Sequence, residues 1–180
     1  MTRTECTNER LFFALWPTQA IQTAMYDLGQ QLSSNIAGRL IQASNLHITL
    51  AFIGNVPPTT KHCLRQAATI INEHAFTLYL DKLGYWEKPR IVWLGASQLP
   101  DALSKLVTQL NVQLSPCNYQ PDTRPYQAHV TLFRKVTSYE KLPVVPPLIW
   151  SVNDFCLVRS ITSQQGVQYE VINRWNLLSA

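Results

Sequence analysis

Two short motifs carry the chemistry this sequence offers: His47-Ile48-Thr49-Leu50 and, 82 positions later, His129-Val130-Thr131-Leu132. Each sits in an apolar run of β-branched and aromatic residues, the pattern of a strand. Side chains alternate across a strand, so His and Thr two apart share one face, while Ile48 or Val130 between them turns toward a core. Each copy thus offers an imidazole and a hydroxyl side by side above a buried layer. Two such strands set against each other would line a cleft with two His and two Thr. An imidazole has an ordinary pKa of about 6.5, so one ring can be neutral and the other protonated near pH 7. That pair suits a reaction that removes one proton and donates another.

The surrounding elements must hold these motifs, and they repeat. An apolar strand (11–16) leads into a helix-like segment before His47, and another (91–95) leads into a helix-like segment (99–114) before His129. Strand, helix and motif strand, twice over, suggest a duplicated unit. Apolar periodicity predicts a first helix over 17–35, with Ile21, Met25, Leu28 and Leu32 on one stripe, a second over 61–74 and a third over 100–114. Strands are expected at 40–41, 46–53, 76–86, 90–95, 130–133, 149–159 and 167–177, the last two hinged at 164–166, with a polar start over 1–9. His62 and His74 would both ride the second helix on different faces, at the surface. The reading is α+β, a single domain over 1–180, mostly antiparallel sheet with helices packed outside.

Composition narrows the class. Apolar residues make up 46% and charged residues 14% of 180, which excludes a disordered chain and allows a sizeable core. The net charge of +4 favours an anionic partner. Cys6, Cys63, Cys117 and Cys156 lie far apart without a Cys-x-x-Cys pair, so they read as reduced thiols of a cytoplasmic protein rather than a disulfide or zinc framework. The first apolar run is too short for a signal segment or a membrane span. A third metal ligand at a usual spacing is missing beside the histidines, so no metal site is expected.

The motifs and their context resemble the 2H phosphoesterases, and among them the bacterial RNA 2′,3′-cyclic phosphodiesterases, also called 2′-5′ RNA ligases. The likeness runs through Arg10-Leu-Phe-Phe-Ala14, Asn45 to Gly54, Val92-Trp-Leu-Gly95, and Arg124-Pro-Tyr126 through Arg134. It implies two lobes about a pseudo-twofold axis, one His-x-Thr motif in each, with antiparallel sheets lining a central cleft. It also implies hydrolysis of an RNA 2′,3′-cyclic phosphate end, tRNA fragments included, to a 2′-phosphate, with ATP-independent 2′-5′ ligation as the reverse. On that likeness His47 protonates the leaving O3′, His129 activates water, and Thr49 and Thr131 hold the phosphate. The two roles are exchangeable by symmetry. No cofactor, metal or membrane is implied, and the protein is expected to be a monomer.

Further candidates follow from the same residues. Arg134 matches the family position and could grip phosphate oxygens in a fork. Yet it stands five residues beyond His129, so a bulge would be needed to bring it to the cleft. Arg124, Tyr126 and Phe13 (or Phe12) are candidates for RNA or base contact. Two alternatives compete with an RNA phosphodiesterase: the same chemistry on a small cyclic phosphate such as an ADP-ribose derivative, and a non-catalytic RNA-binding module.

Overall fold

The computed structural model describes residues 7–164 and 166–179. Cys6, most of the polar start and Gln165 of the expected hinge lie outside them. Ten strands and three helices follow in the order β1 (Glu9–Leu15), α1 (Gln19–Leu32), β2 (Ile36–Leu40), β3 (Ile48–Val56), α2 (Pro58–Ala68), β4 (Phe76–Leu80), β5 (Lys82–Trp86), β6 (Ile91–Gly95), α3 (Asp101–Leu114), β7 (His129–Tyr139), β8 (Leu148–Val152), β9 (Asp154–Ser163) and β10 (Gly166–Asn176). The strands form one large antiparallel sheet in the order β10-β9-β1-β3-β7-β6-β5, with β2 added against β7, and a small sheet β4-β8. Antiparallel sheets with helices outside match the expected α+β class.

The expected order of strand, helix and motif strand occurs twice, with β2 inserted before β3 in the first. β1-α1-β3 and β6-α3-β7 are the two strand-helix-strand copies, and β3 and β7 are neighbours at the middle of the sheet. One face of the sheet is sealed by the helices. The apolar stripe of α1 contributes Met25 and Leu32, and that of α3 contributes Leu103, Leu106, Leu110 and Leu114, to a core shared with Ile48, Leu50, Val130 and Leu132. Each helix packs across the midline, α1 against β7 and α3 against β3. A second, smaller apolar cluster of Phe12, Ala14, Cys156 and Val158 lies apart from that core.

Several expected boundaries moved for identifiable reasons. The run 76–86 is two strands in two sheets, because Asp81 interrupts it; its carboxylate accepts from the Ser97 amide (2.7 Å) and hydroxyl (2.6 Å), pinning the crossover. The run 149–159 likewise breaks at Asn153, whose carbonyl accepts from Leu177. The second helix starts earlier, with Pro58 in its first turn, and stops at Ala68 before the β-branched Thr69, Ile70 and Ile71. His62 is therefore helical but His74 is not; both are exposed, and the His74 ring bonds the Ser179 carbonyl. The expectation of reduced thiols is corrected: Cys63 on α2 and Cys117 just beyond α3 form a disulfide, their Cα atoms brought to 5.7 Å by the packing of the two helices. Cys156 is free and buried.

Candidate active site

The two motifs meet at their middle residues. Ile48 of β3 pairs with Val130 of β7, and both are fully buried in the core. Because the strands are antiparallel, the flanking residues cross over: His47 stands opposite Thr131, and Thr49 opposite His129. All four point away from the helices. His47 precedes the first residue of β3 and His129 opens β7, so both imidazoles stand at strand starts.

Each ring is held the same way. The Nδ1 of His47 donates to the Asn45 carbonyl and that of His129 to the Gln127 carbonyl, both at 2.8 Å. A carbonyl only accepts, so each Nδ1 carries hydrogen and each Nε2 is the lone-pair nitrogen of the neutral ring. The Thr49 hydroxyl lies 3.2 Å from the His47 Nε2. The same tautomer-fixing contact is thus repeated in the two motifs.

Aromatic walls set the proton affinity. Trp16 stacks on the His47 ring at 5.4 Å, while Phe12 (4.9 Å) and Tyr169 (5.0 Å) close its other sides. Burial therefore pushes His47 down to about 4, the bond to Asn45 resists, and the charges of Arg134 and His129 lower it further. Burial also lowers His129, again opposed by its carbonyl partner and reinforced by Arg134. Its nearest ring is Trp86, edge-on at 4.5 Å. Trp86 leans in turn on Trp93 (5.4 Å), and Trp93 needs Gly84 beside it, because a Cβ there would fall 2.0 Å from the indole.

Arg134 reaches the site through a bulge. Along β7, Thr131 pairs with Trp93 and Phe133 pairs with Val92, so Leu132 is an extra residue. Leu132 and Phe133 are consecutively buried, and Arg134 returns to the face of His129 and Thr131. Its charge acts on both imidazoles. Among the described residues, no carboxylate pairs with it.

The structure removes Phe13 from the remaining candidates and gives Arg124 and Tyr126 partners within the protein. Phe13 has no exposed surface and packs on Phe155 and Trp175 in the core, so it cannot meet a base. Arg124 is 84% exposed and commits its guanidinium to Asp122. Tyr126 donates its hydroxyl to the Thr49 carbonyl at 3.1 Å, tying the loop before the second motif to the first motif. Burial pushes that phenol well above its ordinary range. Trp16, Tyr169 and Trp86 were missed. Alternation along β1 puts Phe12, Ala14 and Trp16 on one face and would have found the first; no local pattern marks the other two. Among the described residues no cluster of three His, Cys, Asp or Glu could hold a metal, and no helix is long and apolar enough to cross a membrane.

Comparison with known proteins decides the family. Residues 19–163 match the model of the 2′-5′ RNA ligase superfamily. The chain belongs to that family. It is 34% identical over 171 residues to the RNA 2′,3′-cyclic phosphodiesterase of Escherichia coli (strain K12), covering 94% of this chain and 97% of that protein. Among solved structures, E. coli LigT complexed with 3′-AMP superposes with a TM-score of 0.85 at 33% identity, over 94% of this chain and 98% of that one. E. coli LigT complexed with phosphate gives 0.80 at 32% identity, over 95% and 98%.

Proposed function

We propose that His47 and His129 divide the proton transfers of an RNA 2′,3′-cyclic phosphodiesterase, opening the cyclic phosphate to leave a 2′-phosphate end. The observation that supports this is the Ile48–Val130 pairing, which sets the two His-x-Thr motifs across from each other on adjacent antiparallel strands. One Nε2 takes a proton from the attacking water as its oxygen bonds to phosphorus. The other gives a proton to O3′ as the P–O3′ bond breaks. Thr49 and Thr131 donate to non-bridging oxygens, and Arg134 neutralises the charge that builds there. With an RNA 5′-hydroxyl in place of water as the nucleophile, the same breaking of the P–O3′ bond forms a 2′-5′ linkage, and relief of ring strain drives it without ATP.

The family likeness gives His47 the acid role and His129 the base role. In the substrate-free protein, burial weighs harder on the protonated form of His47, so that assignment needs the phosphate anion to restore its proton. This asymmetry favours exchanged roles as a second reading. One motif per lobe of a single domain, a monomer acting on RNA ends such as tRNA fragments, and a cytoplasmic site of action complete the proposal. Incubation with an RNA ending in a 2′,3′-cyclic phosphate tests the activity. The product should keep phosphate on the 2′-hydroxyl; a 3′-phosphate, or no turnover, contradicts it.

A further inference from the structure

The face that carries His47 continues past the histidines into a groove with no part in the proton transfers. Along β3, Thr49 pairs with Ala14 and Ala51 with Phe13, so Leu50 is an extra residue, the counterpart of Leu132 in β7. This slip brings Phe52 round to the face of Thr49, as the other brings Arg134 to the face of Thr131. The fifth residue after each motif histidine is thus a cation on one side and an aromatic ring on the other. Phe52 is 53% exposed, although it lies in the middle of the sheet. Arg10, two residues before Phe12 on the same face of β1, holds its guanidinium carbon 5.1 Å over the Phe52 ring. Beyond them opens a groove of about 490 Å³ lined by Asn8, Arg10, Asn55, Arg159, Ser160 and Thr162. Glu9 also borders it, but Lys61 (2.6 Å) and Arg159 (2.7 Å) neutralise that carboxylate.

We infer that Phe52 and Arg10 form a subsite for the nucleotide on the 5′ side of the reacting end, Phe52 stacking its base and Arg10 meeting its phosphate. The inference rests on the phosphodiesterase reading above. An exposed ring beside a guanidinium and neutral hydrogen-bonding groups is the arrangement that holds single-stranded RNA without reading its sequence. The span also fits. Thr49 and Phe52 are three residues apart, at most about 10 Å along a strand, which one step of an extended single strand can bridge. The two halves are thereby no longer equivalent, and a strand entering the cleft has a preferred direction.

The test compares a nucleoside 2′,3′-cyclic phosphate with a trinucleotide carrying the same cyclic end, in the wild type, Phe52→Ala, Phe52→Trp and Arg10→Ala. Phe52→Ala should lower kcat/KM for the trinucleotide about tenfold or more, the loss of one base stack, and leave the mononucleotide unchanged. Phe52→Trp should restore the trinucleotide rate. Arg10→Ala should flatten the dependence of trinucleotide kcat/KM on log salt concentration by about 0.7, one phosphate contact on a single strand. Equal effects of Phe52→Ala on both substrates, or none on either, overturn the subsite while leaving the phosphodiesterase reading in place. A wild-type protein that turns over neither substrate overturns both.

Discussion

Ile48 and Val130 are cross-strand partners at the one place where β3 and β7 touch in register, and this contact assembles the site. Neither residue reaches a substrate. Their burial fixes which way their neighbours point, since a slip of one residue would send His47 and Thr49 into the core and Ile48 to solvent.

The pH dependence follows from the aromatic walls. Both imidazoles lie below their ordinary value, His47 at about 4, mainly because burial disfavours the charged form. Turnover needs one ring protonated and the other neutral, a state most populated midway between the two values. The optimum of kcat/KM, which reports the free protein, should therefore fall on the acid side of about pH 6.5, whichever ring is the acid. Bound phosphate favours imidazolium, so kcat should peak at higher pH than kcat/KM. Profiles that coincide, or a kcat/KM optimum above neutrality, contradict this.

Arg134→Ala should lower kcat/KM by about 10²-fold, the usual cost of deleting one preorganised charge-stabilising donor. Arg134→Lys should recover only part of it, because a point charge cannot make the two-pronged contact. Full recovery by lysine would reduce the role to field strength alone, and unchanged kinetics in the alanine variant would remove Arg134 from the site.

This residue also marks how far the sequence could be read. The paired motifs, the three helices and the antiparallel class were legible because each depends on local periodicity. Strand parity alone put Arg134 on the wrong face; Leu132, the bulged residue that corrects it, carries no signature distinguishing it from a regular strand position. Tyr169 was illegible for a different reason. It arrives at His47 from β10, more than a hundred residues away, through pairings between strands that no single segment encodes. The same holds for Cys63 and Cys117, separated by 54 residues and joined by helix packing.

Tyr126→Phe should cost about 1 kcal/mol of unfolding free energy, the net value of one hydrogen bond, by removing the tie to the Thr49 carbonyl. Because that tie holds the two motifs together, kcat/KM should fall severalfold as well. Urea unfolding and steady-state kinetics of the same preparation check both. A destabilised variant with wild-type kinetics would confine Tyr126 to the fold.

Opening the disulfide should cost stability without touching the chemistry. Closing the 54-residue separation between Cys63 and Cys117 corresponds to about 4 kcal/mol of chain entropy, and both residues lie among the helices behind the sheet. Thermal unfolding with and without reductant should show a clear drop in Tm, with kcat/KM retained at 25 °C. A reduced protein that is as stable but less active would contradict both statements.

The central claim is that two imidazoles act on one phosphorus. Single-turnover rates on an RNA 2′,3′-cyclic phosphate in His47→Ala, His129→Ala and the double variant test it most directly, with EDTA present throughout. Each single variant should lose at least about 10²-fold, and the double should be far from the product of the two losses, because groups that act as a unit are not additive. A single variant within a few-fold of wild type, still folded, would contradict the account.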